Sequence, residues 1–238
     1  MEAESQPTRK GNRNEVIRYF FEFIMLFLAV FCGFIAENVR EGYAEREQEK
    51  EYIISIVEDI KGDIEQSDKV LKGLKQEDLA FDSLLGELAS EEIYKNSNRA
   101  FRLWNKTLGF PAFISNDRTI QQLRNGGARL IRNKAVSDRI IRYDQRIKVF
   151  ASHDASLNQM LTNQTMFYRF FDFINLRKVK NEAVPVPLPL ESRKLLNEAY
   201  ADRETWKYAL FFLISYLQHV NEEGKSAVKF IQEQYHLD

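Results

Sequence analysis

Two hydrophobic patterns follow one another along this chain. The first is an unbroken apolar run, YFFEFIMLFLAVFCGFIA (19–36), in which Glu22 is the single charge. As a helix rising ~1.5 Å per residue, this run spans roughly 27 Å, close to the ~30 Å hydrocarbon thickness of a bilayer. The second pattern is periodic. Ile53, Val57, Ile60, Ile64, Leu71 and Leu74 recur in steps of four and three, with Ser67 as a polar interruption, and Leu84, Leu85 and Leu88 extend the series. That spacing lays one apolar stripe on a helix and suits coiled-coil-like packing. Residues 37–52, ENVREGYAEREQEKEY, join the two patterns as a charged neck without proline. A straight run from one pattern into the other predicts a single helical rod leaving the membrane.

The middle of the chain is less regular. Phe101, Leu103, Trp104, Leu108 and Phe110 form an aromatic-rich stretch closed by Pro111. Ser115 and Asn116 offer N-caps for a short helix through Leu123, which Gly126-Gly127 stop. Asn133 can cap a long helix whose stripe is Val136, Ile140, Tyr143, Ile147, Phe150, Leu157, Leu161, Tyr168 and Phe171, ending near Leu176. AVPVPLPL (183–190) is a proline-spaced strap, extended because Pro185, Pro187 and Pro189 forbid helix. It reads either as a recognition strap for a partner domain or, as the favoured reading, as a stiff connector whose Val and Leu side chains dock on the core. A short helix from Glu191 to Ala201 follows, then a final helix with Trp206, Leu210, Leu213, Leu217, Val220, Ala227 and Ile231 on one face. The apolar stretch between Lys207 and Gln218 is shorter than the ~20 residues a second span needs, so it reads as core.

The expected architecture is all-α: one N-terminal transmembrane helix followed by an elongated helical bundle with long coiled-coil-like helices, three long and two or three short. Its divisions are a basic tail (1–18), the span (19–36), the neck (37–52) and the bundle (53–238). Composition agrees, since ten Gly and five Pro in 238 residues are few helix breakers. Lys+Arg (34) and Asp+Glu (35) nearly cancel, so no global field draws the chain to nucleic acid. The lone cysteine, Cys32, lies inside the apolar run, which excludes an intrachain disulfide.

Arg9, Lys10, Arg13 and Arg18 precede the span, while Arg40, Arg46 and Lys50 follow it among six glutamates. Four basic residues against three, with a short tail to retain, favour a cytoplasmic N-terminus and a periplasmic bundle in a bacterial inner membrane. Cleavage after Ala36 would place Phe34 at −3, and a lipoprotein site at Cys32 would follow Phe31; both fit their signals poorly. The expected partners are therefore the lipid bilayer and a protein partner, or a second copy, met through the helical seams. Glu22 sits one turn from Arg18. It either pairs with that arginine at the interface or meets a partner subunit's polar group inside the membrane.

Two stretches carry a family resemblance: AENVREGYAEREQEKEYIISIVEDIKGD (36–63) and NDRTIQQLRNGGARLIRNKAVSDRIIRYD (116–144). Together they resemble a family of single-span, membrane-anchored helical proteins of unknown activity common in Bacteroidota. The resemblance implies the topology and the all-α fold; it transfers no functional residue.

The second stretch has a physical reading of its own. Arg118, Arg124, Arg129, Arg132 and Arg139 gather around Gly126-Gly127, near Asp117, Asp138 and Asp144. Such a corner is either a network of ion pairs and caps or an anion pocket built from arginine forks and turn N–H groups. Arg118, Arg124, Gly126, Gly127, Arg129 and Arg132 are the candidate anion site.

Catalytic and cofactor chemistry finds no foothold in the sequence. His153, His219 and His236 do not stand at i,i+3 or i,i+4, so no histidine metal pair is expected. EDIKGDIEQSD (58–68) reads as charge patterning on a helix and lacks the ligand order of a calcium loop. Ser152-His153-Asp154 are adjacent and point apart on a helix, unlike a triad. No catalytic residue, metal or cofactor is expected. The expected role is a non-enzymatic membrane-anchored scaffold or accessory subunit of an envelope complex. The alternative is a small-anion sensory domain that signals through another protein.

Overall fold

The computed structural model describes residues 12–116, 118–124, 130–162, 165–178 and 184–237. All regular structure among them is helical: α1 (Asn12–Leu88), a 3-10 turn (Glu91–Tyr94), α2 (Asn98–Lys106), α3 (Arg118–Arg124), α4 (Lys134–Thr162), α5 (Thr165–Phe170), α6 (Phe173–Lys178), α7 (Leu190–Lys194) and α8 (Leu196–Tyr235). The fold is all-α, as the breaker-poor sequence predicts. The chain divides into two compact units, residues 1–51 and 52–238, and α1 contributes to both.

In the first unit the apolar run is helical, and its most apolar window has none of its side chains buried. It is long and apolar enough to cross a membrane. Phe23, Phe27 and Phe31 stack along one side, with ring centroids 6.4 and 5.9 Å apart.

In the second unit, α1 presents a strict seven-residue repeat to the core: Ile53, Ile60, Ser67, Leu74, Phe81 and Leu88 are all buried. Between them lie Ile56-Val57, Asp63, Val70-Leu71 and Leu84-Leu85, also buried. α8 answers with Arg203, Leu210, Leu217, Gly224 and Ile231 at the same interval. The two helices run antiparallel: Lys207 pairs with Asp82 at one end, and Asn221 reaches Ile64, Ser67 and Asp68 at the other. α4 is likewise antiparallel to α8, with Asn133 on Gln234, Arg139 on Ser226 and Arg146 on Glu223. α1 and α4 are therefore parallel, and the chain must travel back along the bundle between them.

Residues 107–124 make that return. Pro111 packs beside Gly73, Asn116 bonds Asp63, Thr119 bonds Asp59, and Gln122 accepts from Tyr52, so this segment climbs antiparallel to α1. A Cβ on Gly73 would lie 3.1 Å from the Pro111 ring, which is why the segment can approach so closely there.

Two core clusters result. The larger joins α1, α4 and α8 with Phe110, Phe113, Ile120 and Ile131 of the return path. The smaller gathers Leu84, Leu88, Trp104, Phe167, Phe170, Phe171 and Ala199, with Val186 and Leu188 of the strap. The strap is pinned to the start of α2, where the Ser97 N–H and hydroxyl donate to the Val186 carbonyl (2.7 and 2.9 Å) and Asn98 donates to Val184 (2.9 Å).

Several boundaries differ from the periodic reading. The helical run expected from Lys134 to near Leu176 is not continuous: α4 is described over Lys134–Thr162 and α5 over Thr165–Phe170, and Phe171-Asp172 interrupt the helix before α6. Tyr168, placed on the buried stripe by periodicity, is exposed, while Phe167, Phe170 and Phe171 are buried. Asp172 explains part of the break, because its carboxylate accepts the Asn175 N–H (3.1 Å) and starts α6. The expected short helix to Ala201 is only five residues long, and the final helix begins at Leu196. Among the described residues, more short helices stand than the two or three expected.

Candidate functional site

The return segment is held by a ladder of polar side chains. The Phe110 N–H donates to Asn158 Oδ1 (3.1 Å), and the Phe113 N–H donates to the Asp154 carboxylate. Further up, the Asn116 N–H donates to Asp63 Oδ1 (2.6 Å) and the Thr119 N–H to Asp59 Oδ2 (3.1 Å). The captured amides of Phe110, Phe113 and Asn116 stand three residues apart, which matches the three-residue turn of an extended chain, and Thr119 follows in the first turn of α3. Two rungs come from α4 and two from α1, so the segment is clamped between the parallel helices. Unpaired backbone donors in a core cost free energy, and these carboxylates and this amide remove that cost.

Asp63 is the centre of the ladder. It is 2% exposed and also accepts from the Tyr143 hydroxyl of α4 (3.3 Å). Burial, reinforced by the Asp63 charge, holds the Tyr143 hydroxyl well above the ordinary phenol range. One turn on, Asn221 of α8 donates to Ser67 Oγ (3.0 Å), Asp68 Oδ1 (3.1 Å) and the Ile64 carbonyl (3.2 Å). α1, α4 and α8 thus share a polar layer inside the core. Buried Asp154 has its carboxyl raised by desolvation, opposed by the Phe113 N–H.

Below the ladder, α1, α2 and the start of the return segment enclose a groove of about 820 Å³. Gly73, Glu77, Lys106, Phe110 and Pro111 are among its lining residues. One Glu77 oxygen is buried and accepts no hydrogen bond, and desolvation pushes this carboxyl up to about 8. At neutral pH Glu77 therefore carries its proton. Chemically the groove can offer a neutral carboxyl and a nearby ammonium.

The residues singled out by sequence are distributed differently. Arg118 and Arg132 are exposed, and Arg132 has an interaction partner. Arg124 ends α3, while Gly126, Gly127 and Arg129 lie outside the described residues. Arg139 is tied to Ser226 of α8 (2.5 Å). The Thr119 N–H in the first turn of α3 and the Asn116 N–H just before it are taken by the carboxylates of Asp59 and Asp63, from the segment read as charge patterning on a helix. Glu22 lies 3.6 Å from Arg18, both side chains exposed, which is the i,i+4 pair that the spacing allows. Asn133 caps α4 as expected, accepting from Ala135 (3.1 Å) and Val136 (3.3 Å).

Asp63, Asp154 and Asn158 were not singled out by sequence. The available signal was positional, since Asp63 and Asp154 fall on the buried faces of otherwise apolar helices. No family model, no curated protein and no solved structure matches this chain.

Proposed function

We propose that this chain is a membrane-anchored, non-enzymatic scaffold or accessory subunit of a bacterial envelope complex. Residues 19–36 cross the inner membrane, the basic tail faces the cytoplasm and the bundle lies in the periplasm. The observation that carries the reading is the contrast between the two units. The first offers an apolar helix whose most apolar window has no side chain buried among the described residues. In the second, the buried acids Asp63 and Asp154 are spent on the bundle's own backbone. An uncovered apolar helix of this length is stable in lipid. Carboxylates used as internal caps are a structural use of residues that an enzyme would hold ready for substrate. The resemblance to single-span helical proteins of Bacteroidota supports the same topology.

The test is native mass spectrometry of the full-length protein, tagged at its N-terminus and extracted in mild detergent. A stoichiometric foreign subunit, or a defined homo-oligomer, is the expected result. A lone monomer with no companion in native membranes would overturn the assignment. Alkaline phosphatase fused after residue 238 should be active, and an inactive fusion would reverse the orientation.

A further inference from the structure

The outer face of the bundle, opposite the buried layers, carries an aromatic ridge. Tyr208, Phe211 and Phe212 project from successive turns of α8 with 62%, 59% and 68% of their surfaces exposed. Scattered single apolar residues are normal on a surface; three large aromatics side by side are not. The ridge is flanked by two hollows. On the α4 side lies a groove of about 560 Å³ whose walls include Phe150, His153, Leu157, Leu213 and Tyr216. On the α1 side lies a second hollow, of about 430 Å³, where Asp78, Glu204 and Lys207 stand beside the aromatics. Along α4 the same outer face continues through exposed Val149 and Met160.

We propose that this α4/α8 face is where a second copy of the chain docks, the Phe211-Phe212 ridge of each copy entering the α4/α8 groove of the other. Three features select a second copy. A two-fold interface must be self-complementary, and here the projection and the hollow that would receive it stand next to each other on one face. Ridges of one helix entering grooves beside another is also the ordinary way helices pack. The second feature is charge. The groove's lining holds no Asp, Glu, Lys or Arg, so two copies meet there without such like charges, while Asp78, Glu204 and Lys207, the last already paired with Asp82, stand in the flanking hollow. The third is size. The stretch of α8 from Ala201 to His219 is roughly 27 Å long. Two helices at ~10 Å spacing make that face ~20 Å wide, on the order of 500 Å² in projection and more as accessible surface. That approaches the ~800 Å² per partner of a stable interface.

This inference deepens the scaffold reading and rests on it. The experiment uses the full-length chain in mild detergent, its mass measured across a concentration series. It compares the wild type with the F211E/F212E double variant, which alters exposed side chains only, and circular dichroism confirms equal helicity. A second arm places Ser215→Cys in a Cys32→Ser background and applies a short bis-maleimide crosslinker. The expected result is a wild-type dimer, a monomeric double variant with Kd raised more than about tenfold, and a crosslink at position 215 that the double substitution abolishes. A wild type monomeric at every concentration overturns the proposal. A dimer that survives F211E/F212E also overturns it, because the copies then meet elsewhere, although the scaffold reading stands. A foreign subunit displaced by the double variant assigns the face to that partner and refutes the second copy. The scaffold reading itself fails only if native membranes yield neither oligomer nor companion.

Discussion

The Arg203 guanidinium of α8 lies over the indole of Trp104 in α2, 4.6 Å from the ring centroid, and both residues are fully buried. Phe81 of α1 lies under the same cation at 6.0 Å, and Asp202 accepts from Nε (2.9 Å) and Nη2 (2.6 Å). Burial pulls this arginine below its ordinary range, and the Asp202 carboxylate opposes the shift. Phe81 belongs to the large core cluster and Trp104 to the small one, so the cation bridges the two. Arg203→Ala should therefore cost about 3 kcal/mol in thermal or denaturant unfolding, through lost stacking and a cavity. Arg203→Lys should recover less than half of that, because an ammonium lacks the planar fork. A loss below 0.5 kcal/mol (order of magnitude for surface sites) would show that the junction contributes nothing.

Asp63→Ala removes the acceptor shared by the Asn116 N–H and the Tyr143 hydroxyl. One buried donor and one part-buried donor are then left without it, which should destabilise the bundle by about 1–3 kcal/mol. Asp63→Asn keeps an oxygen and should lose less. Hydrogen exchange separates this from a general weakening: the Asn116 amide should exchange much faster in Asp63→Ala, while the Phe110 amide, held by Asn158, should change less. Equal acceleration at both would refute the independent rungs.

Gly224 sits where α8 crosses Tyr143. An added Cβ would lie 3.0 Å from Tyr143 Cε2 and 3.2 Å from Ile64 Cγ1. Alanine is the better helix former by about 1 kcal/mol, yet overpacking costs ~1–3 kcal/mol. The clash is with a ring and a branched side chain inside a tight three-helix contact. Gly224→Ala should therefore destabilise, with a lower unfolding midpoint. A raised midpoint would mean that the helices separate there at little cost.

Glu77 sets the expected pH dependence near neutrality. Its folded value of about 8 lies above the ordinary carboxyl value of 4.5, so the native state binds this proton more tightly than the unfolded chain does. Stability from this group is full below the unfolded value and falls as pH rises from about 4.5 to about 8. Glu77→Gln keeps the shape without the titration. It should raise stability at pH 8 by about 1 kcal/mol, or roughly 2–4 °C, after allowance for partial solvent access. The gain should vanish at pH 4. A constant difference between the two proteins from pH 4 to pH 8 would remove the carboxyl as its source.

How much of this was legible beforehand depends on the range of the interaction. The apolar run at 19–36 and the seams of α1, α4 and α8 follow from local periodicity, because a helix buries one face at fixed spacing whatever lies opposite. Asn133 was readable for the same reason, since a cap acts within its own turn. Element ends were less so: Tyr168 keeps the helical step from Leu161 yet is exposed on α5, and Asp172 then starts a further helix before Leu176 is reached.

What the sequence determined by itself is thus the helical class, the long apolar helix and the buried faces of the long helices, each a consequence of contacts a few residues apart. Only the tertiary structure decided that α1 and α4 run parallel, with residues 107–124 returning between them. The same holds for the roles of Asp63 and Arg203. Asp63 meets Asn116 and Tyr143 across 53 and 80 residues of chain, and Arg203 meets Trp104 on another helix. An aspartate on a helix reads as a solvated charge until the fold brings backbone donors to it, and nothing in local spacing encodes which segment will arrive.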